Sequence, residues 1–363
     1  MKAIVLAGGF ATRLRPLTLT KPKPVLPILG KPLIRWIIEG LRGAGVSEVV
    51  VCARYMAEHV EKALEGVEGV DVKVLRERKP LGDAGPLKLV EREVGLDSTF
   101  LVVYGDVFSD VDVARLVSYH RSVGAIATLT LVEVDDPSRY GVAELEDGKI
   151  VRFVEKPRRE EAPSNLANAG VYVFEPEVLK YVPSDRPSKI ARDVVPRLVD
   201  EGVVYGYVHR GLWIDIGVPS DYLRANVEAL KRFYPEGYVD PSASIGEDVE
   251  LQHPVYIARG ASISRKSVIG PHVVIGPRAS IGEGTRIRNA VLFDDVQVDS
   301  YAYIDSAIVG SACVIGKWCR IERGCVLGDE VVLADGVLLA RRTYVLPYKE
   351  VEASIYEENK VIL

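Results

Sequence analysis

Glycine and basic residues follow the first apolar run of the chain. The run Lys2–Ala7 predicts a buried strand, and Gly8-Gly9 comes directly after it. A glycine pair at the end of a strand lets backbone N–H groups converge on phosphate oxygens. Four basic residues that can add positive charge follow, namely Arg13, Arg15, Lys21 and Lys23. The pattern indicates a polyphosphate-binding loop.

The spacing within this loop argues against two nucleotide-binding classes. It matches neither the G-x-G-x-x-G of dinucleotide-binding oxidoreductases nor the G-x-x-x-x-G-K-[ST] of P-loop NTPases. Taken alone, the same residues would also suit a glycine-rich turn with solvated basic side chains. The rest of the chain has to decide between these interpretations.

Alternating strand and helix patterns surround the loop over residues 1–236. Strand patterns lie at 48–53, 70–75 and 99–104, and helix patterns lie at 32–41, 57–64, 86–94 and 111–120. The alternation predicts an α/β fold with a Rossmann-like, doubly wound mixed sheet. Ligands of such sheets bind beyond the carboxyl ends of the strands, where the glycine pair lies.

A six-residue period replaces the helical pattern over residues 237–363. Aliphatic residues recur in one register at Ile245, Leu251, Ile257, Ile263, Ile269, Ile275, Ile281 and Ile287, and in a second register at Val309, Ile315, Ile321, Leu327 and Leu333. This period predicts a C-terminal left-handed β-helix of hexapeptide repeats. The change of register is expected between Phe293 and Ser306.

Three of the four cysteines fit this repeat. Cys313, Cys319 and Cys325 each come four residues after an inward aliphatic residue, which is the position of the small interior side chain. Cysteine packs there as a small apolar residue. With no C-x-x-C pair and Cys52 far from the others, the sequence predicts neither a disulfide framework nor a zinc site.

Composition narrows the class of protein further. The 46 Lys and Arg residues against 51 Asp and Glu give a net charge of −5, which argues against a sheathing role on nucleic acid. No stretch approaches the roughly 18 apolar residues of a membrane span, so we expect a soluble, cytoplasmic protein without a membrane partner. The chain has two Gln and five Asn, and this scarcity of heat-labile amides suggests a thermophilic source.

The loop and several later motifs resemble those of the sugar-1-phosphate nucleotidyltransferases. The loop residues are Leu6-Ala-Gly-Gly-Phe-Ala-Thr-Arg-Leu-Arg-Pro-Leu-Thr18. Other matching stretches lie at residues 80–87, 105–106, 140–142, 153–157, 163–170 and 213–217, and the hexapeptide half and the Val345-Leu-Pro-Tyr-Lys tail also match. The resemblance spans nearly the whole chain and implies an enzyme.

The resemblance implies a reaction and a set of catalytic residues. The phosphate of a sugar 1-phosphate attacks the α-phosphorus of a nucleoside triphosphate and expels pyrophosphate, with Mg²⁺ as cofactor. Arg13 is expected on the leaving β- and γ-phosphate oxygens and Lys23 between the α-phosphate and the sugar phosphate. Asp106 and Asp215 are the implied magnesium ligands, and Asp106 counts as catalytic.

The substrate pockets follow from the same resemblance. The implied nucleotide-binding residues are Leu6, Ala7, Gly8, Gly9, Thr12, Arg13, Glu77, Pro80 and Gly82. The implied sugar-phosphate residues are Gly141, Glu155, Lys156 and Asn168. The carboxylate of Glu77 could accept hydrogen bonds from N1–H and N2–H₂ of guanine, which favours GTP, although its charged neighbours would equally suit a surface position. The resemblance is greatest to family members that use mannose 1-phosphate.

Two residues depart from the family pattern. Ala11 replaces a usual glycine, which is harmless only if its φ is below zero. Asp83 replaces a usual threonine, and its carboxylate would repel phosphates unless it points away or meets a cation. These departures bear on substrate affinity more than on fold.

Three alternative functions remain open at this point. One is transfer to glucose 1-phosphate with UTP or dTTP. Another is a bifunctional enzyme with an acetyltransferase β-helix, for which only His253 and His272 are available there. A third is a non-catalytic regulatory subunit, against which the presence of Arg13, Lys23 and both aspartates argues. Because solenoid ends expose unpaired edges, we expect a homo-oligomer formed through the β-helix.

Overall fold

A computed structural model describes residues 1–184 and 186–363. The elements before the solenoid are β1 (Lys2–Ala7), β2 (Pro27–Ile28), β3 (Lys31–Pro32), α1 (Leu33–Gly43), β4 (Glu48–Ala53), α2 (Ala57–Leu64), β5 (Asp71–Arg76), α3 (Gly85–Val94), β6 (Phe100–Tyr104), β7 (Val107–Ser109), α4 (Val113–Val123), β8 (Ala127–Glu133), β9 (Gly141–Glu146), β10 (Lys149–Glu155), β11 (Leu166–Phe174), α5 (Val195–Asp200), β12 (Val204–His209), β13 (Trp213–Asp215) and α6 (Pro219–Phe233). The predicted strands and helices are confirmed with bounds shifted by three residues at most. None of the described helices is long and apolar enough to cross a membrane.

The N-terminal sheet is mixed, as predicted. Its nine strands lie in the order β5-β4-β1-β6-β11-β8-β12-β10-β9. The first four strands are parallel to one another, and β1 is buried between β4 and β6. Strands β11, β10 and β9 pair antiparallel with their neighbours. The run of apolar residues in β1, β4 and β6 reflects burial on both faces of the sheet.

Three parallel sheets form the solenoid, consistent with a left-handed β-helix. The eight-stranded sheet contains β14 (Tyr238–Val239), β17 (Val255–Ile257), β20 (Val273–Ile275), β23 (Val291–Leu292), β26 (Ile308–Val309), β29 (Val326–Leu327), β32 (Tyr344–Val345) and β34 (Val361–Ile362). The seven-stranded sheet contains β15 (Ser244–Ile245), β18 (Ser262–Ile263), β21 (Ser280–Ile281), β24 (Gln297–Val298), β27 (Val314–Ile315), β30 (Val332–Leu333) and β33 (Glu350–Val351). The six-stranded sheet contains β16 (Glu250–Leu251), β19 (Val268–Ile269), β22 (Arg286–Arg288), β25 (Tyr303–Asp305), β28 (Arg320–Ile321) and β31 (Leu338–Leu339).

The change of register differs from the prediction. Two successive coils in the middle of the solenoid are one residue shorter than the coils that flank them, because Ile275 pairs with Leu292 and Leu292 with Val309, seventeen positions apart. The flanking partners are eighteen positions apart, as in Ile257 and Ile275 or Val309 and Leu327, and the last pair, Val345 and Ile362, is again seventeen apart. The expected single change between Phe293 and Ser306 was therefore wrong. Each short coil loses one residue at the same corner, first before Leu292 and again before Val309.

The predicted interior cysteines are confirmed as core residues. Cys313, Cys319 and Cys325 are at most 1% exposed and free. Each thiol donates a hydrogen bond to a backbone carbonyl of the next coil, at Gly328, Ala334 and Ala340. The thiols therefore fill the core and satisfy carbonyl groups at the same time.

Contacts divide the chain into two compact units. The first unit contains Met1–Gly9 and Ile34–Asp215, and the second contains Phe10–Leu33 and Ile216–Leu363. The second unit thus combines the solenoid with α6 and with the basic loop, the name used here for Phe10–Leu33. The predicted boundary between residues 236 and 237 rests on the repeat pattern alone and stays a prediction.

Candidate active site

Four parallel strands of the first unit end at one edge of the sheet. Ala7 is in register with Ala53, and Ala53 with Arg76, while Leu6 pairs with Tyr104. The residues that follow these strands include Gly8, Glu77 and Asp106. Parallel register therefore brings the predicted glycine pair, the predicted base-binding carboxylate and a predicted metal ligand to the same edge. Leu6 and Ala7, also predicted at the nucleotide, are the last residues of β1.

Glu77 lies against the first glycine of the loop. A Cβ atom at Gly8 would be 2.7 Å from Glu77 Oε1, so only glycine leaves room for the carboxylate. Glu77 is 8% exposed, which rules out the surface position that its charged neighbours suggested. Burial raises the pKa of the Glu77 carboxyl, and the charge of Arg54 and the Leu81 N–H partly offset that rise. The carboxylate is therefore a fixed acceptor rather than a mobile surface group.

The loop after Glu77 is held by a second segment. Gly82 pairs with Ser188 in a β-bridge, and a Cβ at Gly82 would overlap the Ser188 carbonyl oxygen at 2.0 Å. Ser188 N–H donates to Leu81 and the Ser188 carbonyl accepts from Ala84 N–H, at 2.9 and 3.0 Å. These bonds fix the loop that carries Gly82. Pro80, predicted beside it, is exposed.

Asp83 meets donors and so resolves one departure from the family pattern. Its Oδ1 accepts a hydrogen bond of 2.5 Å from Ile190 N–H, and its carboxylate is also hydrogen-bonded to Tyr104. Burial raises the pKa of Asp83, while the Ile190 N–H and the Lys189 charge act in the opposite direction. The carboxylate is thus hydrogen-bonded inside the first unit and feels the charge of Lys189. Meeting a cation is one of the two conditions under which Asp83 would not repel phosphates.

The two predicted metal ligands lie on one short ribbon. Strands β7 and β13 pair antiparallel, with Asp215 opposite Val107. Asp106 precedes Val107 directly, so Asp106 and Asp215 occupy neighbouring backbone positions at the end of the ribbon. Gly105 lets the chain reach this point, because a Cβ there would be 2.9 Å from the Leu6 carbonyl oxygen. The pair of hard oxygen donors fits Mg²⁺, which usually takes one or two protein carboxylates and leaves its other positions to water and phosphate.

Strand pairing also brings together three of the predicted sugar-phosphate residues. Gly141 is opposite Glu155 in the β9–β10 ladder, and a Cβ at Gly141 would be 2.7 Å from Glu155 Oε2. Val142 also pairs with Ala167, which precedes Asn168. Lys156 follows Glu155, is exposed and has a left-handed backbone with φ of 50°. Its N–H donates to the Tyr140 carbonyl at 2.9 Å.

A chain of hydrogen bonds that the sequence did not reveal fixes Asn168. Its Nδ2 donates to the Tyr172 hydroxyl at 2.7 Å, and its Oδ1 accepts from Gly170 N–H at 3.2 Å. The Tyr172 hydroxyl is hydrogen-bonded in turn to Tyr104, and Tyr104 is hydrogen-bonded to Asp83. These hydrogen bonds connect three segments far apart in sequence, namely β11, the end of β6 and the loop that carries Asp83. Within β11 the pairing with β8 is irregular between Asn168 and Tyr172, which redirects the side chains there.

Thr12, Arg13 and Lys23 belong to the basic loop and hence to the second unit. Thr12 and Arg13 are exposed, whereas Lys23 is 7% exposed. Burial of an ammonium group is uncommon for a lysine with a purely solvated role. Ala11 has a φ of 47°, contrary to the requirement that it stay below zero. Hydrogen bonds from Thr18 Oγ1 and Leu14 N–H to the Ala11 carbonyl hold this conformation.

Lys21 binds the solenoid instead of remaining available to phosphate. We call Asp294, Ser311 and Asp329, which stack at one corner of successive coils, the corner ladder. Lys21 Nζ lies 2.9 Å from Asp329 Oδ2, donates to Ser311 Oγ at 2.8 Å and lies 5.1 Å from the Phe293 ring centroid. Ser311 Oγ donates to Asp294 and its N–H to Asp329. The expectation that Lys21 supplies charge to a polyphosphate therefore needs correction, because its charge is used in this contact.

Comparison with known proteins identifies the family. The nucleotidyl transferase family matches residues 2–232, and the GMPPB C-terminal domain matches residues 251–362. The chain therefore belongs to the nucleotidyl transferase family and is an enzyme, and the resemblance drawn from its motifs is confirmed.

Three relatives illustrate the match. A "Putative mannose-1-phosphate guanyltransferase" of Sulfolobus acidocaldarius is 43% identical over 269 residues, which cover 72% of each chain. "Mannose-1-phosphate guanyltransferase beta-A" of Xenopus laevis is 37% identical over 268 residues, covering 68% of this chain and 74% of its own. A solved structure of a "Putative Glucose-1-Phosphate Thymidylyltransferase" from Bacillus anthracis is 30% identical, with a TM-score of 0.58, covering 63% of this chain and 95% of its own.

Proposed function

We propose that this enzyme transfers a guanylyl group from GTP to mannose 1-phosphate. A sugar-phosphate oxygen forms a bond to the α-phosphorus, the bond from that phosphorus to the β-phosphate oxygen breaks, and pyrophosphate leaves with the bonding electrons. The products are GDP-mannose and pyrophosphate. The names of the Sulfolobus and Xenopus relatives, each matched over more than two thirds of this chain, support this substrate pair over glucose 1-phosphate with UTP or dTTP.

The β7–β13 ribbon is the observation that carries the reaction class. The strand pairing supports a common site for Asp106 and Asp215, because their backbone positions are neighbours and Asp106 closely follows β6, which pairs with β1. We assign Mg²⁺ to these two side chains. Bound there, the ion would neutralise phosphate charge and orient the reacting oxygens.

The remaining residues act through charge and position. The N–H groups of Gly8 and Gly9 bind phosphate oxygens, and Arg13 holds the β- and γ-phosphates with a planar fork of donors. The charge of Lys23, a largely buried residue, reduces repulsion between the α-phosphate and the attacking sugar phosphate. Such transfers need little covalent help, so alignment and charge neutralisation supply most of the rate.

The pockets account for substrate choice. Glu77 accepts from guanine, with Gly82 beside the base, because its buried carboxylate offers two acceptors where uracil or thymine has one donor. Glu155 binds mannose hydroxyls and Lys156 binds the sugar phosphate, with Gly141 and Asn168 completing that pocket. Leu6, Ala7, Thr12 and Pro80 complete the nucleotide site.

A pyrophosphate-release panel tests the proposal. It crosses GTP, ATP, UTP and dTTP with the 1-phosphates of mannose, glucose and N-acetylglucosamine, with Mg²⁺ present or chelated. We expect the highest kcat/KM for GTP with mannose 1-phosphate and no turnover after chelation. A higher kcat/KM for UTP or dTTP with glucose 1-phosphate would reject the assigned substrates.

Replacement of the metal ligands tests the ribbon. Asp106→Asn should lower kcat by about two orders of magnitude or more, because the amide keeps the shape but lacks the charge that binds Mg²⁺. Asp110→Asn, directly after β7 and beyond the other end of the ribbon, is the matched control for structural damage, since Asp110 Oδ1 accepts from Leu212 N–H at 2.7 Å. Full activity of Asp106→Asn would refute the metal assignment.

We also propose that the protein self-associates through the open first coil of the solenoid. Ile245 belongs to the inward-facing series, yet it is 37% exposed because no earlier coil covers it. Val239 in the same coil is also 36% exposed. A second copy of this chain would bury this apolar edge and pair its strands.

A further inference from the structure

A cavity in the second unit lies between the first turn of α6 and one corner of the solenoid. Its volume is about 590 Å³. Its apolar floor includes Ile308 and Val326, each 2% exposed, together with the ring of Tyr344. Ser220 from α6 lines the opposite wall. A cavity of this size accommodates a small organic ligand such as a nucleotide.

Three arginines and no carboxylate line this cavity. Arg323 and Arg341 occupy equivalent positions on successive coils, and Arg342 follows Arg341. Gly324 makes room for Arg342, because a Cβ there would be 2.9 Å from the Arg342 side chain. The cluster is unusual in a chain whose net charge is −5. We call it the arginine cavity.

Two of the three arginines, Arg323 and Arg341, have no close carboxylate in the described part of the chain and can use their charge to bind a ligand. Arg342 is paired with Glu358 at 2.9 Å, and Arg323 feels the charge of Asp305, which is itself paired with Arg288. Within residues 1–184 and 186–363, Arg323 and Arg341 make no ion pair shorter than 4 Å. Guanidinium groups bind phosphate through paired hydrogen bonds, which makes phosphate a suitable anion for such a cluster.

The arginines lie on full-length corners of the solenoid. The two short corners before Leu292 and Val309 are followed by full-length corners in the next two coils, which carry Arg323 and Arg341. Pro219 and Ser220 in the first turn of α6 line the same cavity, so the positive dipole end of this helix adds to the potential of the arginines.

We propose that the arginine cavity binds a nucleoside polyphosphate, with the base on the Ile308, Val326 and Tyr344 floor and the phosphates on Arg323 and Arg341. The lining combines an apolar surface with concentrated positive charge, which matches a molecule that has an aromatic base at one end and phosphates at the other. None of these residues belongs to the proposed active site, so this is a second nucleotide site. The inference does not depend on the proposed reaction.

Calorimetric titration of the full-length chain with GDP, and separately with inorganic pyrophosphate, tests this site. We expect Arg323→Gln/Arg341→Gln to bind one GDP equivalent per chain fewer than the wild type, which binds two where the proposed active site also takes GDP, because the dissociation constant of the cavity site rises by on the order of tenfold or more. Arg286→Gln, which removes an exposed arginine from the six-stranded sheet, is the matched control and should retain both sites. Loss of binding in this control would overturn the proposal by showing general charge dependence.

A second variant and a second probe separate the remaining outcomes. Ser220→Asp places a carboxylate in the first turn of a helix, where it is tolerated, and should weaken the second site by repulsion. Unchanged two-site binding in both the double arginine variant and Ser220→Asp would refute the site. Pyrophosphate that binds the cavity as tightly as GDP would refute the nucleotide assignment, because the apolar floor would then contribute nothing. Catalytic turnover is measured separately, so failure of the proposed reaction would leave this result readable.

Discussion

Individual glycines decide where two carboxylates of the proposed active site can lie. The Glu77 carboxylate occupies the space of a Cβ at Gly8, and the Glu155 carboxylate occupies the space of a Cβ at Gly141. Any side chain at either glycine would have to displace a carboxylate. The residues themselves were predicted from motifs, but these close approaches could not be, because each depends on how the strands pair.

Ala11→Gly should stabilise the protein. A residue other than glycine in the left-handed region costs roughly 1–2 kcal/mol. Glycine removes that cost, but it loses more backbone entropy on folding than alanine does, which offsets part of the gain. We expect the free energy of unfolding to rise by up to about 1 kcal/mol in denaturant titration. Ala63→Gly, inside α2, is the control with the opposite sign, since glycine destabilises a helix by about 1 kcal/mol. A destabilised Ala11→Gly would show that the φ of 47° carries no strain.

Glu77→Gln should weaken discrimination for GTP. The amide can offer only one acceptor to guanine, and loss of a hydrogen bond to a charged group is worth about 1.5–3 kcal/mol, so KM for GTP should rise roughly tenfold to a hundredfold. KM for mannose 1-phosphate should change little. Initial rates at varied GTP measure this effect, and an unchanged KM for GTP would remove Glu77 from base recognition.

The pH dependence of KM provides an independent check on Glu77. Burial raises the pKa of this carboxyl, so its charge is lost at a higher pH than that of an ordinary glutamate as the solution is acidified. KM for GTP should therefore begin to rise in mildly acidic buffer, above the usual titration range of glutamate. In Glu77→Gln, KM for GTP should no longer rise in mildly acidic buffer, because the amide has no charge to lose there.

At the scale of elements, the repeat pattern predicted the solenoid but not its contact with the basic loop. Asp294, Ser311 and Asp329 share a corner only because one coil has seventeen residues and the next has eighteen. A strict six-residue period gives Ser311 and Asp329, which are eighteen residues apart, the same position, but it does not align Asp294, which is seventeen residues before Ser311. The individual strands were predictable from apolar spacing, whereas this alignment required the observed pairing.

Asp329→Asn should disturb the basic loop from the solenoid side. It removes the charge that faces Lys21, and small displacement of catalytic groups costs up to about a hundredfold in rate. We expect kcat to fall about tenfold or more with little change in KM for mannose 1-phosphate, and Asp329→Glu to recover part of it. The matched control is Asp335→Asn, because Asp335 also accepts a backbone N–H of the preceding coil, from Lys317, but lies at an exposed corner. Equal loss in both variants would indicate general damage to the solenoid.

The whole molecule consists of two units, and one segment from the N-terminal part of the chain belongs to the second unit. The chain leaves the first unit after Gly9, forms the basic loop in the second and returns at Ile34. The sequence predicted a sheet followed by a solenoid, and both are present. It could not show that the loop packs with the solenoid, because the residues concerned, such as Lys21 and Asp329, are separated by most of the chain.

Self-association is the prediction at this scale. Ile245→Lys should convert an oligomer to a monomer, because a charge at the open edge cannot be buried without a partner. Val361→Lys, at the other end of the eight-stranded sheet, is the matched control and should leave the oligomer intact. Sedimentation velocity measures both. A wild-type chain that sediments as a monomer at micromolar concentration would contradict the proposed interface.

The corner ladder also constrains how the gene can change in length. Duplication of DNA that encodes one complete coil beyond Asp329 would keep every inward side chain in place and lengthen the solenoid without a frame conflict. The same duplication between Asp294 and Asp329 would separate residues that must stack to hold Lys21. Length variation among homologous genes should therefore accumulate on the distal side of this corner.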